Sequence, residues 1–276
     1  MEWIAALQQP IWVVGEGTTC YGRAQASEDT GLISAMDAGR RNLQLEVCVD
    51  DAAGLTEAVA GGADRVELCA ALAIGGLTPT AGLMALAAGC VLPCYPMIRP
   101  RVGDFVFTSA EVGVMRADIR TARAIGLTGV VLGASCPDGR LDEAVLSALV
   151  AEAAGLDLTL HRAVDLTPDV DEAVELAISL GFMRILSSGG ARVAGEGVVR
   201  LARMIKIASG RLSVMPGSGV SPQTWPLLAD LGVTEVHASC AAPVLASSRA
   251  VEFGFASGTE KRTERGRVAA LKAAIR

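Results

Sequence analysis

Two copies of a Glu-x-Cys pair stand close together in the sequence. Glu46 and Cys48 form the first copy, and Glu67 and Cys69 form the second. Side chains two residues apart in a β-strand point to the same face, so each copy presents a carboxylate beside a thiol. Cu(I) prefers thiolate ligands, and two thiolates on neighbouring strands would allow near-linear coordination. Cys48 and Cys69 are therefore candidate Cu(I) ligands, unless they are simply small residues of the core.

Further polar residues follow apolar runs elsewhere in the chain. His161 and His237 are its only histidines, and both stand in such positions. A charge inside a fold is costly unless it is paired, so we expect one compensated cluster. Its members are Glu46, Glu67, Arg99 and His161. The cluster is either an internal salt-bridge network or a ligand site, and its predicted position at strand ends favours the ligand site.

Two glycine-containing turns add a second candidate site, for an anion. They consist of Ser188, Gly189 and Gly190, and of Gly217, Ser218 and Gly219. Backbone N–H groups in such turns can bind an anion, although glycine is also needed simply to make a tight turn. Arg99 and Arg101 would add positive charge for a carboxylate or phosphate, and His237 completes this ligand-binding set. Arg101 is alternatively an ordinary surface charge.

The same residues support a second function, acid–base catalysis. Glu46 or Glu67 would act as the general base and His161 as the acid, with Asp165 as a further catalytic candidate. Arg99 would hold a small phosphate- or carboxylate-bearing metabolite. A third possibility, a non-catalytic interaction scaffold, is the least consistent with the sequence, because a scaffold has no use for several buried charges.

The elements that position these residues alternate regularly. A helical segment ends at glycine and a Val/Ile/Leu-rich strand follows, as at 60–68 and 125–132. The predicted strands lie near 43–48, 65–70, 94–99, 129–133, 157–162, 183–187, 212–216 and 234–239. The predicted helices lie near 51–61, 81–89, 110–125, 141–154, 169–180, 195–208 and 222–231.

Eight such strands predict a (βα)8 TIM barrel of the α/β class, in which strand ends converge on one rim. An open doubly wound sheet is the main alternative, but no GxGxxG motif follows the first strand. We expect residues 43–240 to form the barrel as one domain. Residues 1–42 would be a poorly ordered N-terminal extension, of which 1–35 is alternatively a misassigned start, and residues 241–276 a C-terminal tail with a terminal helix.

Composition excludes several classes of protein. The net charge is 24 − 30 = −6, which disfavours general binding to nucleic acid or to an anionic membrane. The seven cysteines are an odd number without a CxxC motif, so we expect a reducing cytoplasmic location rather than a disulfide framework. The uncharged run 78–98 is interrupted by proline and glycine, which favours a helix and a buried strand over a membrane span.

Several runs of the chain resemble the CutC family. They are Leu45-Glu46-Val47-Cys48, the run 62–69, Gly75-Gly76-Leu77-Thr78-Pro79, Met97-Ile98-Arg99-Pro100-Arg101 with Gly103-Asp104-Phe105, His161-Arg162-Ala163 with Asp165, and Ser188-Gly189-Gly190. The motifs occur in the family's order and cover about residues 43–240. The chain departs from the family pattern at Val102, Val164, Ser187 and Ser218.

The resemblance implies a TIM barrel and a cytoplasmic role in copper homeostasis. It also implies that Cys48 and Cys69 hold Cu(I) and that the protein is a homodimer or homotetramer. The replacement of an aromatic residue by Val164 is expected to widen the pocket. None of the departures falls on the residues expected to bind copper or to form the polar cluster.

Overall fold

Eight short parallel strands surround the centre of the molecule in the computed structural model, which describes residues 43–276. The predicted N-terminal extension lies outside the described residues, as does Cys20. The strands are β1 Gln44–Val49, β2 Arg65–Leu68, β3 Cys94–Pro96, β4 Gly129–Leu132, β5 Asp157–Leu160, β6 Arg184–Ser187, β7 Ser213–Pro216 and β8 Glu235–Ala238. Each coincides with a predicted strand.

The strands close into the predicted TIM barrel. Hydrogen bonding orders them as β3-β2-β1-β8 and as β4-β5-β6-β7. A parallel bridge between Met97 and Val131 joins β3 to β4, where the Ile98 N–H donates to the Val131 carbonyl at 2.7 Å. At the other seam, the Ser213 and Thr234 hydroxyl oxygens lie 3.3 Å apart at the start of β7 and β8. The carboxyl ends of all eight strands therefore meet at one rim.

Within the described residues, one helix follows each of the strands β1 to β6, and two further helices come after β8. They are α1 Ala52–Gly61, α2 Ala81–Ala88, α3 Ser109–Ile125, α4 Glu143–Glu152, α5 Val170–Ser179, α6 Val198–Ala208, α7 Ser248–Glu252 and α8 Arg265–Ala274. Side chains cap several N-termini, and at α3 Thr108 and Glu111 form a complete capping box. Gly126 ends α3 in the left-handed conformation (φ 92°), which glycine adopts without strain.

The helix predicted near 222–231 is wrong. Two short 3-10 turns, Trp225–Leu227 and Ala229–Leu231, replace it between β7 and β8. Pro226 explains why no continuous α-helix forms here, because proline lacks the N–H that such a helix needs.

The segment 241–276 contains more structure than a terminal helix. Strands β9 Ala241–Leu245 and β10 Thr259–Thr263 form an antiparallel pair, with α7 between them. Helix α8 follows and buries Val268 and Leu271 in the main core. A Cβ atom at Gly61 would lie 2.4 Å from Val268 Cβ, so α1 and α8 are in close contact. The ring of helices around the barrel therefore includes α8.

A charged layer fills the barrel interior toward the amino ends of the strands. We call it the ionic floor, and its members are Glu46, Arg65, Arg184 and Glu235. Arg65 pairs with Glu46, and its Nη2 lies 2.5 Å from Glu235 Oε2. Arg184 Nε lies 3.3 Å from the same Glu235 oxygen. Two guanidinium groups and two carboxylates balance one another, which offsets the cost of burying four charges.

Candidate functional site

A cavity of about 330 Å³ opens at the carboxyl ends of the strands, above the ionic floor. We call it the mouth cavity. The predicted site residues that line it are Cys48, Glu67, Arg99, His161, Gly219 and His237. They come from six different strand ends, as the barrel prediction requires.

Three of these residues form a group that could hold a metal ion. Ligand atoms of Cys48, Glu67 and His237 all lie within 4.8 Å of one another, and all three side chains are buried. Strand register explains the grouping, because Cys48 stands opposite Glu67 on β2, while Glu46 stands opposite His237 on β8. A thiol, a carboxylate and an imidazole are donors typical of a transition-metal site.

Glu46 orients the His237 ring. The Glu46 Oε1 atom lies 2.8 Å from His237 Nδ1, and His237 Nε2 lies 3.8 Å from Glu67 Oε2. A carboxylate behind an imidazole is the usual support for a histidine that ligates a metal. Burial lowers the pKa of His237, but the nearby Cys48 and Glu67 raise it well above its ordinary value.

Glu46 itself belongs to the ionic floor and does not line the cavity. Burial raises its pKa, but Arg65 and then His237 outweigh that effect and lower the pKa to about 2. The carboxylate is therefore ionised and already paired, so it is not available as the predicted general base. Arg65 is the counter-ion, whereas the sequence led us to expect Arg99 or His161.

Cys69 lies beside the three-residue group and, within residues 43–276, is not a member of it. Its thiol donates a hydrogen bond to Glu67 Oε2 at 3.5 Å. Because Cys48 is opposite Glu67, Cys69 lies two residues beyond the position opposite Cys48, just after the end of β2. Gly76 covers its sulfur, and burial raises the pKa of the thiol well above its usual range.

Arg99 holds the loops around the cavity through its terminal nitrogens. Nη1 donates to the Gly76 carbonyl at 3.1 Å and Nη2 to the Gly103 carbonyl at 2.8 Å. Burial, then the charge of Arg101, lowers its pKa. It forms no ion pair with any residue between 43 and 276. The Nε–H group has no hydrogen-bond acceptor within that same range.

His161 is a neutral hydrogen-bond donor. Its Nδ1 accepts from the Ala163 N–H at 3.2 Å, so the ring hydrogen resides on Nε2. Burial, then the charge of Arg99, lowers its pKa to about 3. The imidazolium needed for the predicted general acid is therefore absent at neutral pH. Gly133 allows the ring to pack here, because a Cβ at that position would lie 2.4 Å from it.

The turn after β6 binds a carboxylate of the chain itself. The Ser188 and Gly190 N–H groups donate to Asp165 Oδ1 at 3.1 and 3.0 Å, and the Gly189 N–H donates to Ser187 Oγ. These bonds occupy the N–H groups expected to bind an external anion. They also lower the pKa of Asp165 despite its burial, which raises it. Asp165 thus fastens the turn in place.

The other two predicted ligand-binding positions lie apart from the cavity lining. Arg101 points outward, where its Nη2 lies 2.9 Å from Asp104 and its Nε pairs with Glu111. Gly217 packs between Leu186 and His237, where a Cβ would lie 2.4 Å from the leucine. Arg101 is therefore an ordinary surface charge rather than part of an anion site, which was the alternative that the sequence left open.

Sequence reasoning missed several residues of this region. Phe105 and Arg162 line the mouth cavity, and Arg65, Arg184 and Glu235 build the ionic floor beneath it. Arg65 could have been predicted from the sequence. It precedes Glu67 and Cys69 at the same two-residue spacing, which places all three on one face of a strand. Arg184 and Glu235 begin β6 and β8, so only the closure of the barrel brings them together.

Comparison with known proteins identifies relatives over most of the chain. The model of the CutC family matches residues 43–242. A family protein CutC from Rhizobium meliloti is 54% identical over 235 residues, which cover 84% of this chain and 96% of that protein.

Solved structures agree with the architecture. CutC from Streptococcus agalactiae, described as a proposed copper homeostasis protein, superposes with a TM-score of 0.68 at 29% identity. The match covers 71% of this chain and 98% of that one. A thiamine phosphate pyrophosphorylase from Pyrococcus furiosus superposes with a TM-score of 0.53 at 14% identity, covering 86% and 96%, and indicates the fold alone. Within 43–276, no helix has the length and apolar character needed to cross a membrane.

Proposed function

Because the chain belongs to the CutC family, we propose that it takes part in copper homeostasis in the cytoplasm and carries a copper ion in the mouth cavity. The observation that carries the proposal is the buried group of Cys48, Glu67 and His237, whose ligand atoms lie within 4.8 Å of one another. Six free cysteines among residues 43–276 support a reducing compartment.

The donor set fits copper through two of its members. The Cys48 thiolate is the soft ligand that Cu(I) prefers, and the imidazole of His237 also suits copper. Glu67 would balance the charge of the ion from the side of the cavity. Cys69 is the candidate for a second thiolate ligand. To bind the ion, its thiol must first release its hydrogen bond to Glu67.

The test is a Cu(I) competition titration of the full chain under reducing conditions. We expect tight 1:1 binding that is lost in Cys48→Ser and strongly weakened in His237→Gln. Glu46→Gln should weaken binding about 10- to 100-fold, because the ring of His237 loses its orienting partner. Cys69→Ser measures separately whether the second thiolate takes part.

Cys136→Ser is the matched control, because Cys136 is a thiol on a different loop and does not line the mouth cavity. Copper binding by this variant should equal that of the wild type. Unchanged affinity in the Cys48→Ser, Cys69→Ser double variant would contradict the proposal.

A second candidate function, acid–base catalysis on a small anionic metabolite, has support from Glu67. This carboxylate lines the cavity, and burial raises its pKa above the ordinary value of a glutamate, which is the direction that a general acid requires. Turnover of a metabolite that disappears in Glu67→Gln would favour catalysis over copper handling.

A further inference from the structure

Three buried polar atoms without partners belong to residues that line one cavity. They are Glu67 Oε1, Arg99 Nε and His161 Nε2, and each of these residues is at most 6% exposed. Across residues 43–276, six buried side-chain atoms lack a hydrogen-bond partner, so half of them belong to the mouth cavity. Polar atoms buried without partners are costly, and their concentration here indicates a ligand that pairs with them.

Two of the three atoms are fixed hydrogen-bond donors. The terminal nitrogens of Arg99 are committed to loop carbonyls, so its Nε–H is the group left to bind a ligand. The tautomer of His161 likewise leaves only Nε2–H. Phe105 packs against both groups, with 5.0 Å from its ring centroid to Arg99 Cζ and 4.7 Å to the centroid of the His161 ring. Arg99 and His161 therefore share one neighbour, Phe105, which lines the cavity with them.

The donors match a carboxylate better than a phosphate. A carboxylate has two acceptor oxygens in one plane and can take one N–H from Arg99 and one from His161. A phosphate carries more charge and a third oxygen, and the turn that might have bound it is occupied by Asp165. The Glu67 carboxylate in the same cavity would also repel the additional charge.

The third atom, Glu67 Oε1, is an acceptor and calls for a hydroxyl on the ligand. The cavity volume of about 330 Å³ lies at the small end of ligand pockets. We propose that the mouth cavity binds a small hydroxycarboxylic acid, whose carboxylate accepts from Arg99 Nε–H and His161 Nε2–H and whose hydroxyl bonds to Glu67 Oε1. Each of these atoms is covered by its neighbours in the structure, so the side chains around it must move when the ligand binds. This proposal deepens the second candidate function and does not depend on copper.

The experiment uses the metal-free full chain, treated with a chelator, and four probes. Calorimetry compares L-lactate, D-lactate, propionate and inorganic phosphate. We expect at least one lactate enantiomer to bind more tightly than propionate, which has the same carboxylate and no hydroxyl. Phosphate should bind at least about tenfold more weakly than lactate, since it is poorly matched to two single donors.

Two variants and one spectrum locate the ligand. His161→Phe keeps a ring of similar size without the donor, and Arg99→Lys keeps the charge without Nε–H; each should weaken lactate binding at least about tenfold. Arg116→Gln, on the outer face of α3, is the control and should bind as the wild type does. In the wild type, lactate should shift the NMR signal of the His161 Nε2–H, a readout that needs no variant to fold.

Absence of lactate binding, or an unmoved His161 signal on binding, would overturn the proposal. Tighter binding of phosphate than of lactate would overturn the assignment to a carboxylate. The copper titration tests Cys48 and His237 in the absence of lactate, whereas the lactate experiment tests Arg99 and His161 in the absence of metal. Failure of the copper proposal can therefore be distinguished from failure of this one.

Discussion

His161 is a buried histidine whose neutral form the fold requires. Its pKa is about 3 in the folded protein and about 6.5 in an unfolded chain. Between these values the unfolded state binds more protons than the folded state, so stability falls as the pH falls. The neutral ring contributes fully to the free energy of unfolding above about pH 6.5. This contribution is lost as the pH falls to about 3.

We predict that His161→Phe flattens this part of the pH profile. At pH 5 the wild type should lose about 2 kcal/mol of unfolding free energy through His161 relative to pH 7.5. Urea unfolding of both proteins at the two pH values measures the difference. The loss of the Ala163 N–H acceptor affects the variant equally at both pH values, so it cancels. Equal pH slopes in the two proteins would contradict the interpretation of His161 as a buried neutral ring.

Residue types and their spacing were sufficient to find the thiol, the carboxylate and both imidazoles of the cavity lining. Glu67, Cys48 and the two histidines could be predicted because polar side chains at the ends of apolar runs are conspicuous. Their pairing could not, because Cys48 meets Glu67 rather than Cys69 through the register of β1 and β2. The register of two parallel strands depends on the connection between them and on which faces are buried, and the two-residue spacing within each strand does not reveal it.

At the scale of elements, the turn after β6 depends on one carboxylate. Asp165 accepts from the Ser187 and Ser188 hydroxyls as well as from two backbone N–H groups. The turn is also tightly packed, since a Cβ at Gly189 would lie 2.2 Å from the Gly197 carbonyl oxygen. The turn therefore has little freedom to change shape as long as Asp165 is ionised.

We predict that Asp165→Asn loosens this turn without abolishing copper binding. The amide keeps one acceptor oxygen and places an NH2 group among donors, so a loss of about 1–3 kcal/mol in stability is expected. Hydrogen exchange of the Ser188 and Gly190 amides should become faster. The matched control is Asp138→Asn, on the exposed loop before α4, where exchange at positions 188 and 190 should not change. Unaltered exchange in Asp165→Asn would show that the carboxylate does not hold the turn.

The alternation of strands and helices was predictable because it has strong local signals. Glycine at helix ends followed by Val/Ile/Leu runs marks six of the helix-to-strand boundaries. The segment 222–231 has the apolar content of a helix, but its proline stops the backbone hydrogen bonding that a helix needs. The β9–β10 pair was missed because both strands are largely exposed, Pro243 interrupts the apolar run of β9, and β10 has no apolar run.

At the scale of the whole molecule, the C-terminal helix is part of the core. Leu271 is fully buried, and Lys272 donates to the Leu43 carbonyl at 3.1 Å, which ties the end of the described chain to its beginning. We predict that Leu271→Ala lowers the free energy of unfolding by about 2–5 kcal/mol. Urea denaturation is the measurement, with Leu245→Ala at an exposed position as the control. Equal stability of the two variants would make 241–276 a dispensable tail.

Within residues 43–276, the ionic floor closes the amino end of the barrel, while the mouth cavity opens at the other end. Two arginines and two carboxylates, with the Tyr95 ring 5.5 Å from Arg65 Cζ and 5.3 Å from Arg184 Cζ, block the amino end of the strands. An ion or metabolite bound there, as we propose, would therefore leave through the same rim by which it entered. A molecule that delivers it and a molecule that receives it would then compete for that rim. The residence time of an ion or metabolite is then governed by the loops of that rim rather than by passage through the molecule.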